Sequence, residues 1–391
     1  GTGLKGRAKQ WLRAIVCSVM ALVLLGGCGL PQVSAEDRLF LDLSVELVGS
    51  CVLPKQSFDG EPVGGISAIA YDVPKDRLYA LSDNRDRPRF YTFSLSGRLG
   101  DADPPTLSIE AVTYLTDADD NPYSAGLLDP EGMAITPSNT LLISTEGSPR
   151  AQILPAIGEY DIATGQLLQS LPIPSRYSPD EPDEDNTADF VQSKGIQENL
   201  GFEALAVNVS SGTGGVYEPY RLFVATEGPL LQDLDFAPDV PYKNRLLHYT
   251  IDPYQTTLIS EHMYEMELAP TGAVLHGVPE IAVLDQGGHF LSLERSFGFR
   301  GFTIRLSQVA AGGATYIEAV ESLEGDVSGI NPIQKELLLD LAALDLPLQN
   351  YEAMTFGPTL AGRQRSLLVM SDDNFADDQE TSLLIFRLSA L

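Results

Sequence analysis

Cysteine, histidine, tryptophan and basic residues are all scarce in this 391-residue chain, and each scarcity removes a class of chemistry. The cysteines are Cys17, Cys28 and Cys51, too few and too scattered for a zinc site or a dithiol redox motif. The four histidines, His248, His262, His276 and His289, have no metal-ligand spacing. Only 25 Lys and Arg stand against 54 Asp and Glu, a net charge of −29 that argues against nucleic acid and anionic lipid as partners. Phosphate-binding glycine loops, a dinucleotide fingerprint and an EF-hand loop are missing. The nearest approach to a nucleophile elbow, Gly65-Ile66-Ser67-Ala68-Ile69, fails at its last position. Long helical periodicity is missing too, which leaves strands to build the fold.

The first residues read as an address. Lys5, Arg7, Lys9 and Arg13 precede an apolar run from Ala14 to Leu25, shorter than the roughly 20 residues a membrane span needs. Leu25-Gly26-Gly27-Cys28 reads as a lipobox, so the expectation is a signal over 1–27, lipid on Cys28, a tether over 28–38 and one domain over 39–391. An ordinary secretory signal cut elsewhere is the alternative. An exported lipoprotein on the periplasmic side of the inner or outer membrane follows from the first reading. Removing 1–27 takes four basic and no acidic residues, which leaves a net charge of −33. Cys51 then stands alone and is expected as a small buried apolar residue.

What is present is a repeated phrase: an acid opening a short apolar strand, a turn, and a second apolar strand ending on another acid. Glu131-Gly132-Met133-Ala134-Ile135 leads to Leu141-Leu142-Ile143-Ser144-Thr145-Glu146. Glu203 leads likewise to Glu227, Glu280 to Glu294, and Glu352 to Asp372. An earlier copy has Ser67 in place of the first acid and ends on Asp83. The openings at 67, 131, 203, 280 and 352 are separated by 64, 72, 77 and 72 residues.

Each repeat holds four strand-like runs, the signature of a β-propeller with four-stranded antiparallel blades. Five repeats are counted, with six blades as the alternative if a degenerate one hides in 174–200 or 323–350. In the fourth repeat the outer pair is expected at 301–306 and 314–322, and 333–341 is expected as a short helix. The fifth repeat has three strands, and residues 39–48 can supply its fourth and close the ring. The acid-rich stretch 178–189 reads as either a cation-binding lid or a solvated insertion.

Innermost strands line a propeller's channel, so Glu131, Glu203, Glu280 and Glu352 should gather at one mouth, ringed by Asp83, Glu146, Glu227, Glu294 and Asp372. Packed carboxylates need neutralising, and Ca²⁺, with its irregular six- to eight-oxygen shell, is the expected cation. The alternative use of each acid is to accept N–H bonds from the next blade. His276, just ahead of Glu280, is the one candidate general base. Arg85, Arg150 and Arg295 follow ring acids and are candidates for an anionic substrate, or for simple pairing with those acids.

The motifs Gly64-Gly65-Ile66-Ser67, Asp129-Pro130-Glu131-Gly132-Met133, Asn199-Leu200-Gly201-Phe202-Glu203-Ala204 and Asn350-Tyr351-Glu352-Ala353-Met354 resemble those of the bacterial phytase-like family described by esterase-like activity. The resemblance runs from about residue 60 to the C-terminus. By analogy with alkaline β-propeller phytases it implies calcium-dependent hydrolysis by metal-activated water at the channel carboxylates, Glu203 among them. This chain departs from those phytases in its five repeats and in lacking a dense Lys/Arg cluster. A small phosphoester or carboxylic ester is therefore as good a substrate expectation as phytate. The rival readings are a non-catalytic, calcium-stabilised binding module and a lactonase-like propeller hydrolase. A monomer acting on a small molecule is expected.

Overall fold

The computed structural model describes residues 39–97, 104–181, 191–208 and 218–390. Helical structure from residue 40 on is confined there to four single 3-10 turns. Five four-stranded antiparallel sheets account for the blades. The first runs through Ile66–Asp72, Arg77–Ser82, Arg89–Ser96 and Thr106–Tyr114, and the second through Pro130–Ile135, Thr140–Thr145, Ala156–Asp161 and Leu167–Ser170. The third comprises Phe202–Asn208, Tyr220–Thr226, Lys243–Ile251 and Thr256–Glu265. Ala273–Val283, His289–Gly298, Gly301–Ala310 and Gln334–Asp340 form the fourth. The fifth combines Asn350–Phe356, Arg365–Asp372 and Thr381–Ala390 with the N-terminal strand Leu43–Leu53.

Successive innermost strands touch, and the fifth returns to the first, so the sheets close into a five-bladed ring. The N-terminal strand seals the last blade, with Leu43 opposite Ala390 and Leu53 opposite Thr381. It runs further than the expected 39–48 and carries Cys51, half-buried, with burial pushing the thiol up to about 11. Five apolar clusters fill the seams between neighbouring blades, one per seam. Isolated blades could not bury these faces, so ring closure and core formation are one event.

Two expectations fail in the fourth blade. Its outer strand is Gln334–Asp340, paired with Gly301–Ala310 from Arg305↔Asp340 to Ala310↔Gln334, and 333–341 is therefore no helix. Helix-favouring Gln, Lys, Glu and Leu lose there to the open edge of a sheet, where position outweighs propensity. Residues 314–322 are a loop instead, with Ile317 and Leu323 buried against Met263. In the acid-rich stretch, 182–190 lies outside the described residues. Asp180 ties back the returning chain, accepting from the Ser193 N–H at 3.0 Å and its hydroxyl at 2.7 Å.

Candidate functional site

Every innermost strand bulges at its opening. Pairing skips Ser67, Glu131 with Gly132, Glu203, Val278 with Pro279, and Glu352. A bulge frees one residue from the ladder and re-aims its side chain, and here it turns the carboxylates of blades 2, 3 and 5 into the channel mouth. Adjacent strands end there with Asp83, Glu146, Glu227 and Asp372. These seven carboxylates line one cavity of about 620 Å³, together with Arg85, Asn199, Arg295 and Asn350.

Blade 4 breaks the pattern by one residue. Glu280 pairs with Leu293 just past the bulge, as Ala204 pairs with Ala225 in blade 3, so the ring position falls to Pro279 and the outer position to Arg295. A one-residue slip puts a side chain on the opposite face. Glu280 and Glu294, expected at the mouth, are accordingly absent from the cavity wall. Glu280 is buried and accepts the Leu205 N–H of blade 3 at 3.2 Å and the Ile281 N–H at 3.0 Å. Burial raises its carboxyl well above the usual range. Glu294 accepts from Tyr264 Oη at 2.9 Å and Lys335 Nζ at 2.6 Å. The blade-joining alternative holds for Glu280. Ser67 does related work, donating to the Pro130 carbonyl of blade 2 at 3.0 Å.

Arg295 is thus the one cation placed in the ring itself. Its guanidinium reaches Glu227 at 2.6 Å, Glu352, and the Asn350 amide oxygen at 2.9 Å, with Glu203 at 3.9 Å. Its buried Nε has no hydrogen-bond partner among the described residues. Arg85 enters from the rim and pairs with Asp129 at 2.6 Å and Asn199 at 3.1 Å. Arg150 does not line the cavity, and its backbone N–H donates to Glu198 at 3.2 Å. His276 is also outside it. Its Nδ1 meets Ser296 Oγ at 2.7 Å and its Nε2 the Glu267 carbonyl at 2.9 Å, so neither nitrogen is open to a reacting water. Burial lowers its basicity further.

The carboxylates are held under electrostatic stress. Burial, reinforced by neighbouring acids, raises Glu131, Glu146 and Glu203 well above the usual carboxylate range. Burial and then Asp372 push Asp83 to about 8, and burial chiefly pushes Asp372 to about 7. Close approach is permitted by missing side chains. A Cβ on Gly277 would lie 2.3 Å from Glu227 Cγ, and one on Gly201 would lie 2.3 Å from the Glu146 carbonyl oxygen.

Two triads, Asp129–Glu131–Glu146 and Glu146–Glu203–Glu227, bring carboxylate oxygens within 4.8 Å of one another. Oxygens on opposite sides of a Ca²⁺, at about 2.3–2.6 Å each, are at most about 5 Å apart, so either triad can hold such an ion. The donor set is entirely hard oxygen, which suits Ca²⁺ and not a soft metal.

The sequence profile of the phytase-like family, described by esterase-like activity of phytase, matches residues 61–375. This chain belongs to the phytase-like family. The matched span of this phytase-like chain contains every ring carboxylate. No curated protein sequence matches the chain. Among solved structures, the endo-arabinase from Bacteroides thetaiotaomicron VPI-5482 is 13% identical, with a TM-score of 0.45 over 83% of this chain and 94% of that one. The catalytic domain of Coprinopsis cinerea GH62 α-L-arabinofuranosidase is 10% identical, with a TM-score of 0.40 over 88% and 97%.

Three features of the site escaped the sequence reading. Asp129 was visible in its motif, but only the bulge at Glu131 brings both acids to one ligand group. Asn199 and Asn350 likewise stood in the quoted motifs, but nothing in the sequence marked them as part of the cavity wall. The apolar wall formed by Leu275, Phe297, Phe302 and Leu348 depends on how far the strands of blade 4 overhang the mouth.

Proposed function

We propose that the protein hydrolyses ester or phosphoester bonds of small molecules at this mouth, using a divalent cation, with Ca²⁺ as the natural choice. The observation that carries the reading is the pair of carboxylate triads joined at Glu146. Seven mutually repelling ring carboxylates against Arg85 and Arg295 leave a charge deficit that bound cations would neutralise. Asp129, Glu131 and Glu146 would hold one ion, and Glu146, Glu203 and Glu227 a second. Asp83, Glu352 and Asp372 complete the acidic wall. Family membership supports the hydrolase class.

When bound, the cation supplies Lewis-acid polarisation of the ester oxygen and lowers the pKa of water. The chain's own residues supply the rest. Arg295 and Arg85, the cationic side chains of the cavity wall, orient the electronegative oxygens of the scissile group. Glu203, at the bulge of the innermost strand of blade 3 and on the cavity wall, takes the proton of the attacking water. That proton passes to the leaving alkoxide as the ester bond breaks, so no covalent enzyme intermediate is formed. His276 has no part in this scheme.

The same reading includes export, with lipid on Cys28 tethering the domain to the membrane. The basic residues, apolar run and Leu25-Gly26-Gly27-Cys28 support it, and they lie outside the described residues. The short, protected blade edges of a closed propeller favour a monomer. The test is hydrolysis of p-nitrophenyl phosphate and p-nitrophenyl acetate with calcium and with chelator, beside Glu203→Gln. Calcium-dependent turnover lost in the variant is expected. Melting shifted by calcium with no turnover would reduce the site to a metal-stiffened binding module.

A further inference from the structure

Blade 4 is built taller than its neighbours. The second strands of blades 1, 2 and 3 stop at Ser82, Thr145 and Thr226, beside the ring acids, whereas the corresponding strand of blade 4 continues through Arg295 to Gly298. Its innermost strand likewise starts at Ala273, well ahead of the bulge. The extension carries one cross-strand row: Leu275 faces Phe297, and Phe297 faces Phe302. The two phenyl rings lie 4.7 Å apart between centroids. All three side chains line the acidic cavity, and Leu348 joins them from the segment leading into blade 5.

Position makes this row part of the site. Arg295 and Phe297 are two residues apart on one strand, so they share a face and are about 7 Å apart along it. Phe297 remains 40% exposed, so its surface is open to a ligand. The remaining wall of the cavity is carboxylate, amide and guanidinium, which makes this the side on which apolar surface can be removed from water.

We propose that this row is a subsite for an aryl or branched alkyl group of the substrate, carried about one pleat away from the bond cleaved at the carboxylates. The inference rests on the reading of the mouth as the catalytic site and narrows its substrate class. The substrate has one compact polar head, a phosphoester or carboxylic ester, and one apolar substituent. Polyphosphorylated rings fit poorly, because the cavity wall sets only Arg85 and Arg295 against its seven ring carboxylates.

The test compares phenylphosphonate with methylphosphonate, hydrolytically inert ligands of equal charge, by isothermal titration of the calcium-loaded protein. Burying most of a phenyl ring should tighten binding of the aryl ligand at least tenfold over the methyl one. Phe297→Ser should reduce that ratio to below threefold, and Leu275→Ser, at a second position in the row, should reduce it too. Equal affinities, failure of both ligands to bind, or a ratio unchanged in both variants would overturn the subsite. Failure of the hydrolase reading shows separately, as lack of turnover of p-nitrophenyl esters, and leaves the ratio of affinities readable.

Discussion

Raising the pH of the metal-free protein from 5 to 8 is expected to lower its melting temperature, and adding calcium is expected to reverse the loss. The carboxyls of Asp83 and Asp372 are held at about 8 and about 7, and those of Glu131, Glu146 and Glu203 are raised as well. An acid whose folded pKa exceeds its unfolded value of about 4 binds its proton more tightly in the folded state. Its contribution is fully present below pH 4 and is lost as pH rises through the folded value. Calcium acts in the opposite sense, because it binds the ionised carboxylates that protons would otherwise occupy. Two sites at a hundredfold excess of calcium over Kd would each add about 2.7 kcal/mol. In a domain of this size the pair corresponds to a melting shift of roughly 7 °C at pH 8. At pH 5, protons compete and the shift should shrink to a small fraction of that. Scanning fluorimetry with calcium or chelator across this range measures both trends. Metal-free stability that rises from pH 5 to 8, or a calcium shift larger at pH 5, would refute the electrostatic account of the mouth.

Other perturbations separate site residues from framework. Arg295→Met leaves Glu227 and Glu352 without their cation and should cost about 3–5 kcal/mol in urea denaturation, with part of the loss restored by calcium. Glu280→Ala removes the acceptor for two buried N–H groups and should cost about 1–3 kcal/mol while leaving the calcium-induced melting shift in place. Gly277→Ala forces a Cβ onto Glu227 and should weaken calcium binding by about tenfold or more in titration, with the circular dichroism spectrum unchanged.

Much of the ring was legible because repetition reports topology directly. Five copies of strand, turn, strand and closing acid, four of them also opening on an acid, imply five inner hairpins, and the three-stranded last repeat implies closure by an N-terminal strand. Glu131, Glu203 and Glu352 were legible for the same reason. Glu280 and Glu294 were not, because each has an alternative neighbour, Pro279 and Arg295, and one residue of register decides which faces the channel. The spacing of 77 residues before Glu280, against 72 on either side of the neighbouring repeats, was the available hint that this blade is irregular. His276 looked close to the mouth in sequence, but it lies on the overhanging part of its strand, with both ring nitrogens already bonded. The strand at Gln334–Asp340 was hidden by helix-favouring residues, and only its partner strand explains it.

Calcium titration of the metal-depleted protein, followed on the same samples by the rate of p-nitrophenyl ester or phosphate hydrolysis, tests the central claim most directly. Two bound equivalents are expected in the parent protein, with turnover rising as they fill. Glu146→Gln, which removes the carboxylate shared by both triads, should bind at most one equivalent and lose turnover together with occupancy. Unaltered binding in Glu146→Gln, or hydrolysis at full rate in chelator, would contradict the account.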